Sequence, residues 1–195
     1  MPVEAFVDAE RPALRERLPH AEEVPPALMA ELSTLGHPPR VLAVFRRADL
    51  TSSADAPVGL ALWHVGDPGN VGTLVRTADA LGPAFVALSP GCADPTSAKA
   101  LRGSAGAVFR VPLVPFDDVD GPRIALAAGR GAPLSEVDLP ERATFVLGSE
   151  RAGLPRDVVA ACDVVATIPL APWAESLNVA VAGAIALYEW RRRAA

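Results

Sequence analysis

From residue 58 onward, short runs of uninterrupted apolar residues alternate with stretches whose apolar positions recur every three or four residues. That alternation of strand-like and helix-like segments limits the chain to an α/β fold with a mostly parallel sheet and helices on both faces. The strand-like runs are residues 59–65, 84–88, 108–114, 124–128, 145–147 and 164–168, set off by glycine, proline and aspartate. Being apolar throughout, they read as strands covered on both sides. Between the first two, Val71, Leu74, Val75, Ala78 and Leu81 give one apolar helical face. Asn70 is its expected N-cap, and Gly82-Pro83 its expected stop. Shorter helices are expected at 97–101 and 155–161, with a small flexible stretch at 102–106. The last helix, 178–190, is apolar all round and must be covered on every side, which points to a second copy of the chain. It runs into Arg191, Arg192 and Arg193, suited to a solvated helix C-terminus.

The first 57 residues do not share this rhythm. A strand at 3–7, helices at 11–18 and 25–35, and a strand at 41–45 make residues 1–50 a short N-terminal segment. Residues 51–57 read as a linker, and 58–195 as the main domain.

Composition narrows the function classes. No apolar run reaches the length of a membrane span, and the start lacks the basic and apolar regions of a signal peptide. A cytoplasmic location is therefore expected, with no membrane partner. Cys92 and Cys162 stand far apart without a CxxC, and only His20, His37 and His64 could join them, so no metal is expected. The formal charge of −5 argues against a protein coated in basic surface. Even so, every basic residue apart from Lys99 and the histidines is arginine, the side chain suited to bidentate phosphate contact.

Three polar clusters interrupt the apolar sequence. Asp67-Pro-Gly-Asn70 opens a helix that carries Arg76, GSE at 148–150 follows a buried strand, and ESLNV at 175–179 opens the last helix. Gly69-Asn-Val-Gly72 is neither a P-loop, lacking the Gly-Lys-Ser/Thr, nor a dinucleotide fingerprint. A KH-type GxxG clamp would need a basic setting. No G-x-S-x-G elbow supports a hydrolase.

In their order and spacing, the three clusters resemble the signature motifs of the SpoU-type (TrmH-like) RNA 2′-O-ribose methyltransferases of the SPOUT superfamily. Arg151 and Ala152 depart from the pattern where glycine is common. The resemblance implies an α/β-knot with a deep C-terminal trefoil knot, a homodimer, and S-adenosyl-L-methionine as cofactor. It also implies transfer of a methyl group to a ribose 2′-hydroxyl in tRNA or rRNA. The cofactor would be held by backbone at Gly148, Ile168 and Leu177. Arg76, Asn70, Glu150, Ser176 and Asn178 would form the catalytic set, with Arg76 acting within one chain or across a dimer. Residues 1–50 resemble part of a ribosomal-protein-like RNA-binding domain. A binding or ribosome-assembly factor that has lost methyl transfer is the alternative on the same fold.

Overall fold

The computed structural model describes residues 2–33, 37–50, 53 and 55–194. The chain falls into two compact units, Met1–Asp49 and Leu50–Ala195. Positions 34–35 of the helix expected at 25–35, and positions 51, 52 and 54 of the expected linker, lie outside the described residues.

The smaller unit is built on three strands. Strand β1 (Glu4–Asp8) leads through helix α1 (Pro12–Arg17) to β2 (Glu22–Val24), and helix α2 (Pro26–Leu32) leads to β3 (Val41–Val44). β1 lies in the middle, parallel to β2 and antiparallel to β3. Both helices start on proline, whose fixed φ and missing N–H suit a first turn. Val7, Ala21, Val24 and Met29 form its buried centre. β2 is absent from the sequence reading, because its three residues include two exposed glutamates and show no apolar run.

The larger unit begins with β4 (Val58–Leu62), α3 (Pro68–Leu81), β5 (Ala84–Leu88), α4 (Ala98–Ser104) and β6 (Leu113–Pro115). It continues with β7 (Arg123–Leu126), β8 (Ala132–Pro133), β9 (Ala143–Leu147), α5 (Arg156–Ala160), β10 (Val164–Thr167) and α6 (Val179–Ala194). The seven strands lie in the order β6-β5-β4-β9-β7-β10-β8, and every pairing is parallel. Period two along each strand divides the core. Val58, Leu60 and Leu62 of β4 and Phe145 and Leu147 of β9 pack against Leu74 of α3 and Leu187 of α6. Ala61, Phe85 and Val146 face the other way, toward Phe116 and Val158 of α5.

Close backbone approach fixes two helix crossings. A Cβ on Gly72 of α3 would run into the Ala100 carbonyl of α4, and one on Gly183 of α6 would run into the Leu74 side chain. Small residues let the helices meet at these points.

Several local readings are corrected. Asp67 caps α3, its side chain accepting from the backbone N–H groups of Gly69 and Asn70 at 2.7 and 3.0 Å, so Asn70 lies inside the first turn. The aspartate takes the cap because Pro68 then occupies the first helical position, where it loses nothing. Gly82 ends α3 in extended conformation rather than left-handed. Its glycine is required because a Cβ would collide with the Ala84 N–H and the Ala78 carbonyl. Residues 102–104 are not flexible loop but the end of α4, with Gly103 set against α3. Val108 and Val111 are buried, yet they sit in and beside a 3-10 turn, and β6 starts only at Leu113.

The arginines ending α6 are exposed, as a solvated helix end predicts, but two of them also hold carbonyls of neighbouring segments. Arg191 donates to the carbonyls of Leu81 and Gly82 at the end of α3, at 3.1 and 2.6 Å. Arg193 donates to the carbonyls of Leu134, Ser135 and Val137. α6 itself is packed along Ala180, Gly183, Leu187 and Trp190 but leaves Val181, Ile185 and Tyr188 exposed.

Candidate active site

In open parallel sheets, free backbone groups and loop residues gather beyond the carboxyl ends of the strands. Here β4, β7, β9 and β10 end on one edge, and the N-termini of α3 and α6 meet them there. Three polar side chains, far apart in sequence, join at this junction. The Glu150 carboxylate, just past β9, accepts from Asn70 Nδ2 at 2.8 Å and from the backbone N–H groups of Gly66 and Asp67, both at 3.3 Å. Asn70 Oδ1 in turn accepts from Asn178 Nδ2 at 3.0 Å. Asn178 Oδ1 caps α6, accepting from the N–H groups of Ala180 and Val181 at 2.8 and 3.3 Å.

The orientation of both amides is fixed by logic rather than by distance alone. An ionised carboxylate can only accept, so Asn70 must turn its NH₂ toward Glu150; helix N–H groups can only donate, so Asn178 must turn its oxygen toward α6. The remaining contact, Asn178 NH₂ to Asn70 oxygen, is then the one allowed pairing. Each amide has a second N–H without a partner among the described residues. Burial works to raise the Glu150 carboxyl, but the hydrogen bond from Asn70 and those from the backbone N–H groups of Glu150, Asp67 and Gly66 outweigh it and hold it below the usual glutamate range. Glu150 is therefore an orienting anion at neutral pH, not a proton donor.

Asp67 anchors the same corner. Its second oxygen takes the Lys99 ammonium at 2.6 Å, and that hydrogen bond, the largest effect on it, holds the carboxyl below the usual aspartate range. Sequence reasoning missed Asp67; the signal was the proline after it, which marks a first helical position and therefore a cap one residue earlier.

Beside the relay lies a cleft of about 370 Å³. Gly148, Glu150, Ile168, Ser176 and Leu177 all border it, with Leu126 and Ala128 from the end of β7. The β7 residues went unpredicted, although the rule that ligands sit beyond strand ends applies to that strand as well. Gly148 has a packing reason of its own: the turn 149–153 folds back so that a Cβ would collide with the Gly153 and Leu154 backbone. Asn70 and Asn178 border a separate groove of about 650 Å³ between α3 and α6, walled by Leu81, Val181, Ile185 and Tyr188. Of the expected catalytic set, Arg76 alone stays apart. It is exposed on α3, borders neither recess, and has no ion pair or hydrogen bond among the described residues. The Ser176 hydroxyl also has no partner among them.

These features define an α/β protein with a cleft of small-molecule size beyond its strand ends, beside a row of amide donors. Residues 57–188 match the SpoU rRNA Methylase family, and the chain belongs to that family. An uncharacterized tRNA/rRNA methyltransferase of Synechocystis sp. is 34% identical over 205 residues, covering 97% of this chain and 75% of that protein. The 23S rRNA (guanosine(2553)-2′-O)-methyltransferase RlmP of Bacillus subtilis is 38% identical over 141 residues, or 68% of this chain, which thus spans 57% of that relative. The AdoMet-bound rRNA methyltransferase from Sinorhizobium meliloti superposes with a TM-score of 0.81 at 26% identity, covering 97% of this chain and 79% of that one.

Proposed function

We propose that the chain methylates a ribose 2′-hydroxyl of ribosomal or transfer RNA with S-adenosyl-L-methionine. The observation that carries this reading is the Glu150–Asn70–Asn178 relay standing beside a cleft bordered by Gly148, Ile168, Ser176 and Leu177. The cleft suits the cofactor. Its volume falls in the range of small-molecule sites. Leu126, Ile168, Leu170 and Leu177 offer apolar walls to a purine, and the carboxylates of Glu150 and Glu175 complement a sulfonium and an ammonium. When bound, the cofactor supplies a methyl group already activated by its attachment to positively charged sulfur.

What remains for the protein is to align a weak nucleophile and tolerate its developing charge. Asn70 and Asn178 hold free N–H donors at the junction of two helix N-termini, where partial positive charge favours an alkoxide. Ser176 offers a hydroxyl that can accept or donate toward the acceptor ribose. Arg76 is the phosphate-orienting cation; as a guanidinium it stays protonated and is not a base. Since it borders neither recess of its own chain, the reading favours Arg76 serving the site of a second copy.

A homodimer follows from the same reading. The exposed stripe of Val181, Ile185 and Tyr188 and the groove it forms with α3 present an apolar surface of the kind that oligomers cover. The C-terminal knot is supported by strand order: β9 lies between β4 and β7, and β10 between β7 and β8, so late strands sit inside neighbours made earlier. Residues 1–50 fit an RNA-contacting segment, and a cytoplasmic location agrees with an RNA substrate. No helix among the described residues is long and apolar enough to cross a membrane.

The test is incubation with methyl-labelled cofactor and total RNA from a strain lacking the protein, followed by mapping of the labelled nucleotide. Label resistant to alkaline cleavage at a single ribose is expected. Cofactor binding without turnover on any RNA would instead identify an assembly factor.

A further inference from the structure

We propose that Trp173 is a stacking platform for an unstacked base of the RNA substrate, beside the nucleotide that receives the methyl group. This inference rests on the methyltransferase reading above and names how its substrate is gripped. Trp173 is 86% exposed, more than any other large apolar side chain among the described residues. The other two tryptophans are accounted for by packing. Trp190 is buried and donates to the Pro140 carbonyl at 3.1 Å, and Trp63 packs edge-on against Phe116 with ring centroids 5.2 Å apart. An indole left in water gives up the burial for which tryptophan is otherwise suited.

Its position gives the exposure a use. Trp173 lies on the strap that joins β10 to α6. Its neighbours Pro172 and Ala174 border a recess of about 330 Å³, which shares Ala128, Ile168, Leu170 and Glu175 with the main cleft. Trp173 therefore lies on the segment that rims the recess, with its indole turned out to solvent. Ser176 lies three positions further along the chain, so their Cα atoms are within roughly 10 Å, the reach of the acceptor nucleotide or its neighbour.

Charge selects the part of the nucleotide that binds there. Residues 168–178 contain no cation and one acid, Glu175, so the strap is unsuited to phosphate but can offer a π face to a neutral base. Cations lie on other segments of the rim. Arg151 borders the cleft and Arg130 follows Gly129 of the recess; both are exposed, with no ion pair among the described residues. Phosphates can go to these arginines while the base goes to the indole. A second copy of the chain is the less suitable occupant, because the apolar groove between α3 and α6 is not bordered by Trp173.

The experiment compares the full chain with Trp173→Ala and Trp173→Phe, using bulk tRNA and deproteinised rRNA as probes. RNA binding is followed by filter retention and tryptophan fluorescence, cofactor binding by calorimetry, and assembly by sedimentation. Trp173→Ala should weaken RNA binding about tenfold or more, with unchanged cofactor affinity and sedimentation. Trp173→Phe should keep most of the affinity but lose the RNA-induced fluorescence quench seen in the parent. Unchanged RNA binding in Trp173→Ala would overturn the inference while leaving methyl transfer intact as a reading. A loss confined to cofactor affinity would make Trp173 a cover for the cleft, and altered sedimentation would make it an interface residue; either also overturns it. If the parent bound none of these RNAs, the methyltransferase reading would fall, and this inference with it.

Discussion

Asn70→Asp changes one atom of the relay and inverts its electrostatics. The parent amide donates to Glu150 at 2.8 Å; in the variant, two carboxylates face each other across that distance. Coulomb's law puts the repulsion at about 1.5 kcal/mol in a water-like dielectric and about 6 kcal/mol at an effective constant of 20. Glu150 is largely exposed, so the lower figure governs. Adding about 1 kcal/mol for the lost hydrogen bond gives a cost of about 2–3 kcal/mol at pH 7.5. A chain of this size should then melt about 4–12 °C lower. The pH dependence is the sharper test. In the parent, the Glu150 pKa is depressed on folding, so its contribution is present at neutral pH and is lost only as the pH falls below about 4. In Asn70→Asp, the facing pair needs a shared proton, so its upper folded pKa is raised above the unfolded value. Stability relative to the parent should therefore recover as the pH falls from 7.5 toward 5. Asn70→Ala, which adds no charge, should show a deficit that does not vary over that range. Scanning calorimetry of the three proteins at half-unit pH steps measures this directly. Equal melting of Asn70→Asp and parent at pH 7.5, or a deficit without recovery on acidification, would show that the Asn70–Glu150 contact does not exist in solution.

Arg76→Ala should reduce single-turnover methyl transfer about a hundredfold with melting unchanged, and Arg76→Lys should restore little, because a point charge cannot replace the planar fork. A near-parental rate in Arg76→Ala would remove that residue from the mechanism. Ile185→Glu lies on the exposed stripe of α6 and should leave the fold intact while abolishing dimers in sedimentation; an unaltered sedimentation coefficient would refute the assignment of that face. Gly72→Ala gains about 1 kcal/mol of helix propensity yet drives a methyl group into the Ala100 carbonyl. Its melting temperature should fall, and a rise would show that the α3–α4 crossing is looser than the backbone indicates.

Most of the larger sheet could be read from the sequence because its strands are apolar on both faces and are punctuated by turn residues. Ala84–Leu88 emerges with both ends as expected, and β4, β9 and β10 within a few residues. Pattern failed where tertiary context supplied the stability. β2 exists because β1 offers it a ladder, and β8 is two residues held at the sheet edge by β10. The arginines after Trp190 are exposed as expected, but sequence gives no sign of the carbonyls that Arg191 and Arg193 also hold. The α3 cap went to the wrong residue for a simpler reason: Asn70 is a good cap in isolation, but Asp67 before Pro68 is a better one. The motifs singled out Asn70, Glu150 and Asn178, while the connection among them became visible only through the fold. Period and propensity carry no information about contacts separated by 80 and 108 residues.

Those separations bear on how the site comes into being. Asn70 is supplied by the first βα turn of the larger unit, Glu150 by the turn after β9, and Asn178 by the start of the final helix. Glu150 orients the Asn70 amide and the first N–H groups of α6 orient the Asn178 amide, so the contact that joins the two amides forms only once α6 has docked. Docking in turn needs Gly183 against Leu74 and Arg191 on the carbonyls that end α3. The row of amides from Glu150 through Asn70 to Asn178 therefore exists only in the completed unit. A partly folded chain would expose the same residues without the alignment on which the proposed transfer to a weak nucleophile depends.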